Sequence, residues 1–205
     1  CVDGKSYNGQ KVIITPSVAI LKQINFKPAI PEKITAASKI GFGGVVKILL
    51  LFKNQWWMSA LGKDLSRLRF ITSNEEIPIW WTQYPELSTL LTGWVGGLKA
   101  EKLKNASSDE IFNLAFTSLS SIFKVDLNKL KNGLIKSKII NWPADPFIQG
   151  AYSYNTVESS EAYEELRKPI NNKIFFAGEA LFSGKETATV EGALASGLEV
   201  VKKIL

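Results

Sequence analysis

The chain has 205 residues, 45% of them hydrophobic, and a net charge of +6. That is enough apolar material for one large domain or two small ones, and it excludes an intrinsically disordered chain. There is no histidine and only one cysteine, Cys1, which removes Ser-His-Asp triads, Cys-His dyads, His-based metal sites and any intrachain disulfide.

With one Cys and no His, no metal site is expected. The lone cysteine fits a reducing compartment, so a cytoplasmic location is expected. No apolar run reaches the length of a transmembrane helix, and the first ten residues lack a signal-peptide core. The chain has no initiator Met and is expected to begin inside a longer protein. The charge is uneven: residues 1–140 carry +9 and residues 141–205 carry −3. The lysines are scattered, as in "LKAEKLKN", which predicts a solvated face rather than a nucleic-acid groove. Neither a nucleic acid nor a membrane is expected as a partner.

In chain order, "KVIIT" (11–15) is a short β-rich run stopped by Pro16. A turn of helix and Pro-punctuated coil follow. Pro31 then sits where a helix can begin, with Glu32 in its first turn, and that helix runs to Lys39. "VVKILLLF" (45–52) reads as a strand buried on both faces. "LRFITS", "IPIWWTQ" and "STLLTGWVG" are strand-length runs separated by turn signals, and predict a mixed or antiparallel sheet. Ser107 and Glu110 form a capping-box pattern ahead of a helix ending before Asp126. "LIKSKII" (134–140) alternates as a strand does. "NWPADPFIQGAYSY" reads as an aromatic loop, 158–167 as a short helix, "KIFFAG" as a strand, and 187–205 as the closing helix. The fold class is α/β (α+β).

Three stretches carry possible chemistry. The terminal strand–loop–helix unit, "FFAGEALFSGKETATVEGALASG" (175–197), is either the closing unit of an α/β sheet or a cradle for an anionic cofactor at a helix N-terminus. The aromatics Trp142, Phe147, Tyr152 and Tyr154 are either local core or walls of a flat pocket. In "GFGGVVKILLLF" the glycines precede a strand, so they are not a dinucleotide fingerprint. Lys47 in that strand either snorkels outwards or is held in place for a purpose.

Taken together and in this order, these stretches resemble the C-terminal half of the flavin-containing amine oxidases, which include monoamine oxidases, polyamine oxidases and flavin-type histone lysine demethylases. The resemblance also takes in "LLTGWVGGLKAEKL" and covers nearly the whole chain. It implies a mixed-sheet substrate domain at 17–133, with 1–16 and 134–205 belonging to a discontinuous FAD-binding domain. It further implies that Lys47 holds a water beside the flavin, that Trp142 lies near the flavin, and that Tyr152 is one wall of an aromatic cage for the amine. Gly178 and Glu179 match the "AGE" motif that contacts the FAD sugar or ribityl region. Thr189 and Val190 match the helix start that faces the isoalloxazine ring. Ala151 stands where some members carry the cysteine bound covalently to FAD, so FAD is expected to be non-covalent. Thr189 stands where many members have a second cage tyrosine, which leaves the cage half present. The part bearing G-x-G-x-x-G is absent from the sequence.

The activity so implied is oxidation of an amine by hydride transfer to flavin N5, followed by imine hydrolysis and peroxide formation with O2 as acceptor. The positive charge of residues 1–140 favours a small primary or secondary amine, or a non-amine substrate, over a polyamine. A related desaturase or protoporphyrinogen-oxidase-like flavoprotein is the alternative, as is an inactive fragment that cannot hold FAD alone. Self-association through an exposed cofactor-side surface is also expected.

Overall fold

The computed structural model describes residues 4–205, so Cys1 and the readings attached to it lie outside the described residues. The elements are, in order, β1 Val12–Ile14, α1 Val18–Leu21, α2 Pro31–Lys39, β2 Gly41–Gly43, β3 Val45–Phe52, β4 Phe70–Thr72, β5 Ile79–Trp81 and β6 Leu90–Gly96. They continue with α3 Gly97–Lys102, α4 Ser108–Phe123, α5 Leu127–Gly133, β7 Leu134–Asn141, β8 Tyr152–Tyr154, α6 Ser159–Arg167, β9 Ile174–Phe176 and α7 Val190–Ile204. Short 3-10 turns lie at Trp56–Gly62, Trp142–Ala144 and Glu179–Leu181. Mixed helices and sheets give the expected α/β (α+β) class. No helix among the described residues is long and apolar enough to cross a membrane.

The chain forms two compact units. One comprises Gly44–Pro146; the other combines the described residues up to Gly43 with Phe147–Leu205. The helix α2 therefore packs with the C-terminal segments, and β7 and the turn after it belong with β3.

The unit Gly44–Pro146 is built on a five-stranded antiparallel sheet in the order β4-β5-β6-β3-β7. Strand β3, second from one edge, is apolar at nearly every position, but it is not buried on both faces as expected. Val46, Ile48, Leu50 and Phe52 are fully buried, whereas Lys47, Leu49 and Leu51 on the other face are only partly so. The reason is that one helix layer covers one face: Ile111, Ala115, Leu119 and Phe123 of α4 pack with the β3 residues, Trp80 of β5 and Leu91 and Val95 of β6. The capping box opens α4, with the Glu110 N–H donating to Ser107 Oγ at 3.2 Å and the Ser107 N–H donating to Glu110 Oε2 at 2.7 Å. Two further helices in this unit went unread in the sequence. The α5 helix starts because Asp126 accepts from the N–H groups of Asn128 and Lys129, and α3 follows β6 directly at Gly97.

The second unit holds two small ladders. β1 and β9 pair in parallel, and β2 and β8 pair antiparallel. Thus "GFG" is itself a strand, and part of the expected aromatic loop is its partner. The Tyr154 ring lies over Gly41, at the place where a Cβ would collide with it. The closing helix begins at Val190 rather than residue 187, because Thr189 is extended and serves as its N-cap.

Helices α2 and α6 are joined by a lysine that no sequence pattern marked. Lys33 is only 4% exposed. Its ammonium donates to the carbonyls of Glu165 and of Lys168, the latter at 2.8 Å, pairs with the Glu165 carboxylate at 3.2 Å and lies 5.5 Å from the Phe176 ring centre. It thereby satisfies the Lys168 carbonyl beyond the last turn of α6 and gives the Glu165 carbonyl, which already accepts from the Lys168 N–H at 3.2 Å, a second donor, at a helix end where the dipole also favours a cation. Burial pushes the Lys33 amine below its ordinary value. Hydrogen bonds from Lys168 and then Lys33 hold the Glu165 carboxyl below its own.

Two outcomes follow from this junction. Lys33→Met keeps the apolar stem but leaves the Lys168 carbonyl without its donor, and is expected to cost about 1–3 kcal/mol in urea unfolding. A carboxyl whose native pKa is depressed favours the native state above its unfolded value and loses that advantage as pH falls through the native one. Wild-type stability should therefore drop as pH falls below about 4.5, the ordinary glutamate value, and Glu165→Gln should flatten that part of the profile.

Candidate functional site

The sequence-marked residues fall in both units. Lys47 and Trp142 lie in Gly44–Pro146, and Ala151, Tyr152, Gly178, Glu179, Thr189 and Val190 lie in the other. Within the second group the fold brings three together. Ala151, Gly178 and Glu179 line one cavity of about 220 Å³, whose other walls include Ile14, Phe176 and Ala193 of α7. The end of β9 delivers Gly178 there. Its φ of 153° is a backbone setting that glycine alone adopts without strain, and it turns the chain straight into the 3-10 turn that begins with Glu179.

The Glu179 carboxylate is fixed at both oxygens by one residue. The Ser153 N–H donates to Oε1 at 3.1 Å and its hydroxyl donates to Oε2 at 2.7 Å. Ser153 is buried at the centre of β8, while its neighbours Tyr152 and Tyr154 project from the opposite face and are 39% and 55% exposed. The signal that could have found Ser153 is the alternation Y-S-Y, which puts the serine on the side away from both rings. Phe147 is 76% exposed and so is not local core, whereas Trp142 is half-buried.

The start of α7 is arranged less simply. Thr189 uses its hydroxyl to cap its own helix, accepting from the Gly192 N–H at 3.0 Å. The cap takes one of the helix's orphan N–H groups and leaves those of Val190 and Glu191 at the open end. Thr189 and Val190 are not part of the cavity lining; Ala193, one turn on, is.

In the other unit, register fixes Lys47. It stands opposite Trp94 on β6 and Ile140 on β7, on the sheet face away from α4. It is half-buried, and among the described residues its ammonium makes no hydrogen bond or ion pair. Its ammonium lies over the face of Trp81, 5.8 Å from the ring centre. Trp142 opens the 3-10 turn that follows Asn141, the partner of Val46, and so comes up beside the start of β3. Pro143 of that turn packs against Gly44.

A flavin can be tested against these residues. Ala151, Gly178 and Ala193, with no side chain larger than a methyl group, leave a space that a flat group can enter beside the fixed Glu179 carboxylate. The cavity lies below the roughly 300–1,000 Å³ usual for a complete ligand pocket. The described residues therefore fit one end of a flavin nucleotide.

The family model of flavin-containing amine oxidoreductases matches residues 1–205, and the chain belongs to that family. It is 29% identical over 208 residues to a protein of Arabidopsis thaliana called lysine-specific histone demethylase 1 homolog 3, covering 99% of this chain and 12% of that one. It is 26% identical over 231 residues to a Bos taurus peroxisomal N(1)-acetyl-spermine/spermidine oxidase, covering 100% of this chain and 44% of that one. Its fold is shared with cyclohexylamine oxidase from Brevibacterium oxydans IH-35A, at a TM-score of 0.75 and 19% identity, over 98% of this chain and 44% of that one. The chain thus spans less than half the length of these relatives.

The Ser153–Glu179 pair makes a direct prediction. Ser153→Ala removes the hydroxyl that donates to a charged group, and should lower stability by about 1.5–3 kcal/mol in thermal or urea unfolding. Glu179→Gln, which keeps an acceptor for the Ser153 N–H, should cost less.

Proposed function

We propose that this chain is the C-terminal part of an FAD-dependent amine oxidase. The observation that carries the reading is the convergence of Ala151, Gly178 and the tethered Glu179 on one cavity, in a chain of this family. In this reading residues 17–133 belong to the substrate-binding domain, and residues 1–16 and 134–205 to part of the FAD-binding domain. Bound FAD supplies the two-electron oxidation of an amine to an imine, with O2 as the final acceptor.

The chain's own residues then bind and orient. Gly178 lets the backbone approach the cofactor closely, and Glu179 accepts hydrogen bonds from its sugar or ribityl hydroxyls. Ser153 occupies one lone pair on each Glu179 oxygen and leaves the others for such donors. Val190 and Glu191 offer backbone N–H groups to an electron-rich carbonyl. Ala151 has no thiol, so the cofactor is held non-covalently. Lys47 holds a water through its free ammonium donors, and Trp142 packs beside the ring system. Tyr152 presents a ring face to the amine. The substrate is a small primary or secondary amine, because no carboxylate lies on the five strands that carry Lys47.

The α7 helix also has a surface role in this reading. Val190, Leu194 and Leu198 are 73%, 66% and 63% exposed along one stripe. Glu191 lies at one end of the helix and Lys202 and Lys203 at the other. Two copies packed antiparallel would set acid against base and cover the stripe. Sedimentation or gel filtration should show self-association, and a clean monomer at all concentrations would refute it.

The enzymatic reading is tested with Lys47→Met in FAD-loaded protein. Flavin reoxidation or amine-driven reduction should slow by at least about tenfold, the scale of one well-placed polar group. Unchanged rates would favour a desaturase-like flavoprotein, which needs no such lysine. A chain that never acquires the flavin absorption band would support an inactive fragment.

A further inference from the structure

Resting on the reading that Lys47 works beside a flavin, we propose that Trp81 is the positioning residue of Lys47. Its indole face holds the ammonium at a fixed place on the sheet face away from α4, without consuming any of its N–H donors.

The argument begins with what surrounds Lys47. The five strands of its sheet contain no Asp or Glu. An ammonium on a four-carbon stem with no acceptor would ordinarily spread over many rotamers. Here it sits 5.8 Å from the Trp81 ring centre, within the range where a ring quadrupole attracts a cation. Both residues are half-buried, which removes part of the competing water.

The ring that holds it is not the one that register places nearest. Trp94 is the direct cross-strand partner of Lys47. Its indole instead lies over Gly96, in the space that a Cβ would fill. Trp81 stands one strand further out, on β5, where it pairs with Thr92. Phe70 of β4 backs it at 6.0 Å and 38° between ring planes. The sequence feature "TGWVGG" therefore withdraws one tryptophan and leaves the other facing the lysine.

The choice of a ring has a chemical consequence. A carboxylate partner would neutralise the ammonium and occupy one or two of its three donors. An indole face does neither. A ring-held lysine keeps its full charge and all three N–H groups for a water or an acceptor above the sheet. That is the state the proposed role of Lys47 requires.

The test uses two readouts. In heteronuclear NMR spectra of the protein, the ε-methylene protons of Lys47 should be shifted upfield by the indole ring current. The shift should shrink in Trp81→Phe and vanish in Trp81→Leu, which keeps apolar bulk without a ring. In FAD-loaded protein, Trp81→Leu should slow flavin reoxidation by about 3- to 10-fold, the span expected for a partly desolvated cation–π contact. Trp81→Phe should restore part of that loss, and Trp81→Leu should add nothing once Lys47→Met is present. An unshifted Lys47 signal in the wild type, or a Trp81→Leu loss that adds in full to that of Lys47→Met, would overturn the proposal. Unchanged flavin rates in Lys47→Met alone would instead overturn the amine oxidase reading, and the NMR shift would still decide whether Trp81 holds the lysine.

Discussion

The register of β3 between β6 and β7 governs what the Gly44–Pro146 unit presents. β3 is hydrogen-bonded along both edges, so it has no freedom to slide without breaking two ladders. Side chains alternate along a strand, and a slip of one residue would exchange its two faces. Four residues, Val46, Ile48, Leu50 and Phe52, lock that choice by complete burial beneath α4. Lys47 is consequently held on the opposite face, and the cost of moving it is the cost of exposing those four side chains. The core thus positions the one cation of this strand without touching it.

A comparable constraint acts in the other unit at much smaller scale. β8 has three residues, and only Ser153 points inward. Two donors on that one residue hold both oxygens of Glu179, so the strand and the turn after β9 are tied across a long separation in sequence. The parallel pair β1–β9 is only three residues long, and a ladder that short is marginal in isolation. The buried Lys33, which closes the end of α6, and the apolar cluster around Ala37, Leu166 and Phe176 carry much of what that ladder does not. Polar ties of this kind are costly to break, because each leaves a buried partner unsatisfied.

Much of this architecture was legible in advance. Apolar runs bounded by Pro and Gly marked β1, β3, β7 and β9, and the capping box at Ser107 marked α4, because these signals are local and strong. Short elements were not legible. α3 and α5 are six and seven residues long, too short for a periodic pattern, and β2 consists of two glycines and a phenylalanine, which no propensity scale calls a strand. The family was legible from residues spread across three stretches, and the model match over residues 1–205 supports it.

What the sequence determined by itself is the chemical inventory: no histidine, a lysine inside an apolar strand, a Gly-Glu pair after a short strand, and a threonine at a helix start. These are matters of residue type and neighbouring positions. Which groups meet was decided only by tertiary structure. That Ser153 would grip Glu179, that Trp81 rather than Trp94 would face Lys47, and that Lys33 would be buried at the end of α6 depend on strand pairings and helix packing between residues far apart in the chain. No local pattern encodes such contacts, because each is fixed by the burial of other side chains.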